Sequence, residues 1–490
     1  MELFRKLIFT TFCSLLVFVC LNQEAAARHV TPAQTIYGAD NLAAEITRTI
    51  NAVNPDLNVG VYVRSMQSEN TLYTRNDHHL FVPASILKVM TAEAALLYLG
   101  ANYHFSTNFL TDAKSIDNGV LNGNLYLVHS GDPSLTYFDL TDLMQTLKSH
   151  HIQQIAGNVY IDTTAYDQEM YGPGWISNDT RFCYSAPISA SIINHNCLVF
   201  QVAPSKKVGN SASIIEDSRY YISGVQNSVV TKPRGTRSCT VHLNGPGEGG
   251  ISISGCLPKG HVTQGVSTVV TDIIHYNKSL MQNLFQRYGI QIRGAILPGV
   301  AQSNFPVIAS HQSQPLHDLI SQMLKKSDNI IAGSLFKKMG ELYSNKPGSW
   351  ENGSLAVREI LKQKIGIDTW GMSILDGSGL SRENQISPAQ MMQVLDFAYH
   401  NNATNYDFIS ALPIAGIDGT LKHRMQNIAW KVRAKTGTMS GVVALAGYAI
   451  TKDKEPLAFV IIINGRLGMG WKYKEMENKI VTELADYSHG

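Results

Sequence analysis

Pro83-Ala84-Ser85-Ile86-Leu87-Lys88-Val89-Met90-Thr91-Ala92 is the stretch on which the reading of this 490-residue chain turns. Pro83 suits a helix entrance, Leu87, Met90, Ala94 and Leu97 recur at helical spacing, and Gly100 is a natural stop. The spacing predicts a buried helix with Ser85 at its first turn. Residues i and i+3 share a helix face, so Lys88 stands one turn from Ser85. A serine hydroxyl is a poor nucleophile until a base takes its proton, and a lysine can be that base once burial or a nearby cation keeps it neutral.

Outward from this stretch, Asn58 to Arg64 alternates as a strand should, with Thr71 to Thr74 as a partner, and Ile46 to Ile50 suggests an entering helix. From about residue 104 the texture changes to short apolar runs separated by Gly, Asn, Asp and Pro. Asn124 to His129, Ile155 to Ile161 and Ile251 to Ile253 read as strands of a β-rich region. Helical texture returns near Val266 and continues through Arg287. A helical pair follows, Leu316 to Lys325 and Asn329 to Leu342, with Ser327-Asp328-Asn329 at the junction. Val442 to Thr451 and Leu457 to Asn464 read as sheet strands, and an amphipathic helix around Glu475 to Tyr487 packs on them.

Two or three domains are expected at this length. A hydrophobic content of 44% with 16% charged residues belongs to a folded chain. Forty basic against 38 acidic residues, without a run of five or more like charges, leave no electrostatic footprint for nucleic acid. Arg5 and Lys6, the apolar Leu7 to Leu21 and Ala25-Ala26-Ala27 read as an export signal spanning residues 1–27, cleaved after Ala27. The apolar stretch is shorter than the roughly 20 residues that span a bilayer, and no later run is long enough, so no stable membrane span is expected. Cleavage would remove Cys13 and Cys20, leaving Cys183, Cys197, Cys239 and Cys256. Four cysteines in an exported chain favour two disulfides, with three possible connectivities. Sequential pairing, 183 with 197 and 239 with 256, closes the shortest loops and is the expected one. No C-x-x-C spacing supports zinc.

Three short motifs occur in order: Ser85-x-x-Lys88, Ser327-Asp328-Asn329 and Lys435-Thr436-Gly437. Each alone is weak; together they match the triplet of β-lactamases and penicillin-binding proteins. Longer segments accompany them: Gly131-Asp132-Pro133, Pro173-Gly174-Trp175 with Asn178-Asp179, Cys183-Tyr184-Ser185-Ala186-Pro187, Asp376-Gly377-Ser378-Gly379-Leu380-Ser381-Arg382, and Leu412-Pro413 through Gly419-Thr420-Leu421. On these the chain resembles the D-alanyl-D-alanine carboxypeptidase/endopeptidase family of the penicillin-binding protein 4 type, over nearly the whole length after the signal. The separation of 242 positions from Ser85 to Ser327 leaves room for the insertion that this family carries and compact β-lactamases lack.

The resemblance implies an α+β fold: a penicillin-recognising transpeptidase-like domain, an antiparallel sheet with helices on both sides, in two parts at 28–103 and 264–490. A β-rich insertion at 104–263 interrupts it. It implies cleavage of D-Ala-D-Ala peptide bonds or D-Ala cross-links of peptidoglycan peptides in the periplasm, through an acyl-serine, with β-lactam antibiotics as covalent inhibitors and no cofactor. In this reading Ser85 attacks, Lys88 is the base, Ser327 relays the proton to the leaving amine and Asn329 bonds the substrate amide. Lys435 on an edge strand attracts the terminal carboxylate, aided by the hydroxyl of Thr436 or Thr438. Gly437 admits the substrate backbone, and the N–H groups of Ser85 and Thr438 hold the oxyanion. The resemblance also places Asp179, Tyr184 and Arg382 on the donor side, where a carboxylate and a guanidinium would receive the zwitterionic end of a diaminopimelate side chain.

A serine β-lactamase and a non-catalytic wall-binding protein are the competing readings. The first lacks an E-x-x-L-N segment to supply a deacylating base; the second sits poorly with an intact set of reactive residues. The adjacent pairs His78-His79 and His150-His151 read as surface histidines, Asp376 as a turn anchor, and Gly245 to Gly250 as a hairpin or loop.

Overall fold

The computed structural model describes residues 39–216, 225–247 and 250–488, so the export signal expected at 1–27 lies outside the described residues. Five antiparallel strands form the sheet that organises the site: β1 (Val59–Ser65), β2 (Thr71–Arg75), β3 (Val432–Met439), β4 (Val442–Ile450) and β5 (Pro456–Asn464), in the order β3-β4-β5-β1-β2. Successive side chains of a strand point to opposite faces, and the burial follows that rule. Val59, Val61, Val63, Leu445, Phe459 and Ile461 enter one apolar cluster, while Ala444, Ala446, Val460 and Ile462 enter another.

The helices that matter to the site are α1 (Ala39–Val53), α2 (Leu87–Leu99), α3 (Leu316–Lys326), α4 (Asn329–Ser344), α5 (Trp350–Ile365), α6 (Pro388–His400) and α7 (Gly470–Asp486). Helices α1 and α7 pack together in the first cluster through Leu42, Ile46, Ile50, Ile480 and Leu484. Helices α2 to α6 share the second. Every residue of α2 from Leu87 to Leu96 is buried, as expected of a helix apolar on nearly all sides. Each fully buried Leu, Ile or Val there stabilises by about 1.5–3 kcal/mol.

A third apolar cluster is formed by residues between Phe109 and Ala309. One sheet there runs Ile296–Pro298, Val159–Asp162, Leu125–His129, Ser106–Thr111, Val307–Gln312. This sheet thus pairs strands on both sides of residue 263: Ile296–Pro298 beside Val159–Asp162, and Val307–Gln312 beside Ser106–Thr111. The texture near Val266 is strand and then helix: Gln264–Val269 pairs with Cys197–Ala203, and the helix begins at Ile273, capped by the Asp272 side chain. Ile155 to Ile161 is not one strand. Gln154–Ile155 and Val159–Asp162 are separate pieces, broken where the Gly157 N–H donates to the Gly123 carbonyl. The helix Tyr137–Ser149 stands within the insertion, opened by a capping box between Thr136 and Asp139. Its signal, T-x-x-D before Leu140, Leu143 and Leu147, lay among turn residues that drew the reading toward strands.

Cys183 is bonded to Cys197 and Cys239 to Cys256. Val241–Gly247 pairs antiparallel with Gly250–Pro258, so the described part of Gly245 to Gly250 lies at the ends of these two strands. Among the described residues no helix is long and apolar enough to cross a membrane.

Candidate active site

Ser85 lies not within α2 but in the 3₁₀ turn Ala84–Ile86 that leads into it. Ala84 has φ 49°, a left-handed conformation uncommon for a residue with a side chain, which turns the chain so that Ser85 stays partly exposed at the head of a buried helix. Two glycines make the turn possible. A Cβ on Gly379, itself at φ 82°, would fall 1.9 Å from the Ala84 carbonyl oxygen, and one on Gly437 would fall 2.9 Å from that of Pro83. Gly437 thus lets β3 close on the chain's own nucleophile turn, a use the sequence did not reveal.

Lys88 is fully buried, and its Nζ donates to Ser85 Oγ at 3.1 Å, to Asn329 Oδ1 at 2.6 Å and to the Ser378 carbonyl at 2.6 Å. Burial pushes its pKa down to about 7, while the charges of Asp376 and Asp328 pull it partly back up. The Asn329 amide is bound at both ends, since its Nδ2 donates to the Tyr184 carbonyl at 2.7 Å.

Ser327 closes α3 in the left-handed conformation, φ 58°. Asp328 opens α4, its Oδ1 accepting from the N–H groups of Ile330 and Ile331. The S-D-N motif is therefore a helix-to-helix turn, with the side chains of Ser327 and Asn329 free of helix capping. Lys435 is also fully buried; its Nζ donates to Ser327 Oγ at 2.9 Å and to the Thr436 carbonyl at 2.8 Å. Burial first, and then the nearby Lys88, hold its pKa well below that of a free lysine. Three remote stretches are thus linked through Ser85, Lys88, Asn329, Ser327 and Lys435. Thr436 Oγ1 meets Thr420 Oγ1 at 2.7 Å, and Thr438 is exposed on edge strand β3.

The Asp376 loop completes the site. Asp376 is fully buried and accepts from Trp175 Nε1, Ser378 Oγ, the N–H groups of Gly379 and Ser381, and Asn384 Nδ2. It anchors the loop that presents the Ser378 carbonyl to Lys88. That carbonyl and the contact from the Tyr184 carbonyl escaped the sequence reading, because backbone acceptors leave no residue-type signal. Of the three residues expected on the donor side, Tyr184 has a raised pKa, first from its own burial and then from the neighbouring Asp179 carboxylate. Tyr184 is exposed and its ring stacks on Phe182. Arg382 donates to the Ser440 carbonyl at 3.0 Å.

A serine beside a buried amine, a second serine beside a second amine, and a glycine-bearing edge strand define the penicillin-recognising serine enzymes. Within that class, the profile of the D-Ala-D-Ala carboxypeptidase 3 (S13) family matches residues 42–487, and the chain belongs to this family. It is 34% identical over 413 residues to the D-alanyl-D-alanine carboxypeptidase DacB of Haemophilus influenzae, covering 83% of this chain and 85% of that protein. It is 30% identical to a D-alanyl-D-alanine carboxypeptidase of an Actinomadura species, covering 88% and 81%. The crystal structure of penicillin binding protein 4 (dacB) from Haemophilus influenzae superposes with a TM-score of 0.78 at 31% identity, covering 92% of this chain and 99% of the other. The same protein complexed with a novel beta-lactam gives 0.74 at 30% identity.

Proposed function

We propose that this chain is a serine D-Ala-D-Ala carboxypeptidase and D,D-endopeptidase of peptidoglycan, acting through an acyl-enzyme on Ser85. The observation that carries the reading is the 3.1 Å contact between Ser85 Oγ and a buried amine whose pKa lies near 7. An amine so poised is neutral in about half the molecules at pH 7 and can take the serine proton.

In this reading Ser85 Oγ attacks the carbonyl carbon of the D-Ala-D-Ala bond as its proton passes to Lys88. The oxyanion forms against the backbone N–H groups of Ser85 and Thr438, each such donor typically contributing about 3 kcal/mol. Collapse breaks the C–N bond, and the Ser327 hydroxyl relays a proton to the leaving D-Ala nitrogen, giving up its own and regaining the one that Lys88 took from Ser85. Water then attacks the acyl-serine by the reverse proton path. Lys435 attracts the terminal carboxylate, with Thr436 and Gly437 beside it. A carboxylate arriving next to this desolvated amine favours its protonated form. Asn329 offers its remaining amide hydrogen to the substrate, and Asp179, Tyr184 and Arg382 receive the side chain of the donor peptide.

β-Lactams would acylate Ser85 by the same attack and resist the water step. An exported, periplasmic location agrees with the signal read at 1–27 and with two disulfides. A fluorescent penicillin tests the assignment: it should label the folded protein on Ser85 and fail on Ser85→Ala. Absence of label on the folded wild type would refute it. Products from cross-linked and uncross-linked muropeptides then divide endopeptidase from carboxypeptidase action.

A further inference from the structure

The loop closed by the Cys183–Cys197 disulfide reaches the Ser327-Asp328-Asn329 turn at two points. Near its start, the Tyr184 carbonyl accepts from Asn329 Nδ2 at 2.7 Å, which directs Asn329 Oδ1 to Lys88 Nζ at 2.6 Å. Near its end, His195 Nε2 lies 3.8 Å from Asp328 Oδ2, on the carboxylate whose other oxygen caps α4. Between them Ile188 packs where α4 narrows at Gly333.

This loop is held in a costly shape. Asn194, His195 and Asn196 are successive left-handed residues, φ 51°, 57° and 48°, and such backbone persists only where its surroundings over-determine it. Asn196 Nδ2 binds the carbonyls of Pro187 and Ser191 inside the loop, the Asn194 N–H reaches the Leu135 carbonyl, and the disulfide closes the loop one residue later. The other disulfide, Cys239–Cys256, ties the segment before Val241–Gly247 to strand Gly250–Pro258 in a different, three-stranded sheet.

We propose that the Cys183–Cys197 disulfide, with His195, positions the catalytic groups for acylation. It holds the Tyr184 carbonyl and the His195 ring against the S-D-N turn, and through Asn329 it seats the Lys88 amine on Ser85. The inference rests on the acyl-serine reading and adds a residue set that does not touch substrate.

The test compares C183S/C197S with C239S/C256S, measuring fluorescent-penicillin acylation rates across pH alongside thermal unfolding. Loss of the first disulfide should slow the acylation step about tenfold, with reagent affinity nearly unchanged and the midpoint of the pH–rate curve displaced. Loss of the second should leave both as in wild type. Wild-type rates in C183S/C197S, or an equal fall in the two variants, would overturn the proposal. Should C183S/C197S not fold, His195→Ala and Asp328→Asn decide it. H195A should slow acylation about threefold alone and add nothing in the D328N background, whereas unchanged or multiplying effects count against it. A wild type that takes no label would instead refute the acyl-serine reading itself.

Discussion

Lys435 Nζ stands 2.9 Å from Ser327 Oγ, across 108 residues of sequence, just as Lys88 Nζ stands 3.1 Å from Ser85 Oγ within one turn. The site is thus two amine–hydroxyl pairs, both amines fully buried. Two desolvated ammonium groups repel, and Lys435, already disfavoured as a cation by burial, sheds its proton more readily for the presence of Lys88.

Acylation should follow the neutral fraction of Lys88. Below pH 7 the rate should fall about tenfold per unit, and above about 7 it should level off, the amine having lost its proton. Lys88→Met should lower acylation by about 10²–10⁴-fold at pH 8 while the melting curve stays cooperative. Stopped-flow labelling with fluorescent penicillin measures both.

Asp376 raises the Lys88 pKa by its charge, so Asp376→Asn should move the midpoint of that pH–rate curve downward. The same change leaves some of five donors unpaired, at a cost of about 3 kcal/mol in unfolding free energy. Denaturant titration reads the second effect independently of the first.

Gly379→Ala would place a methyl group 1.9 Å from the Ala84 carbonyl oxygen and force a side chain to φ 82°. The left-handed backbone alone costs about 1–2 kcal/mol, and relief of the clash must move the nucleophile turn. Acylation should fall at least tenfold with substrate affinity less changed. An equal alanine change at Gly366, which has no neighbour in reach of a Cβ, should leave acylation as it was.

Glu93, on α2, is held at a pKa of about 7 by burial, partly offset by its bond from Thr404 Oγ1. Its usual value is 4.5, so the folded chain binds the extra proton between those limits. Stability should therefore fall as pH rises from about 4.5 through 7. Glu93→Gln removes this slope: its melting temperature should match wild type at pH 4.5 and exceed it at pH 8. Glu477, raised for the same reason, keeps a residual slope in the variant.

The sequence spoke most clearly where chemistry demands residue types at set spacings. Ser85, Lys88, Ser327, Asn329 and Lys435 could be nominated because few other side chains perform those tasks, and the two cysteine pairs because short loops close most readily. Less legible were features that depend on backbone. The Ser378 and Tyr184 carbonyls, the left-handed turn at Asn194–Asn196 and the approach of Gly437 to Pro83 are placed by tertiary packing, and residue type does not announce them. The Tyr137–Ser149 helix was obscured because turn-rich texture is shared by short strands and capped helices.

Strand β1, at residues 59–65, lies against β5, at residues 457–463, while Lys435 rides on β3 at the sheet's edge. A chain still being synthesised carries its nucleophile early but has neither a second amine nor a closed sheet until residues 432–464 have been made. The reactive serine therefore gains its partners only late in assembly.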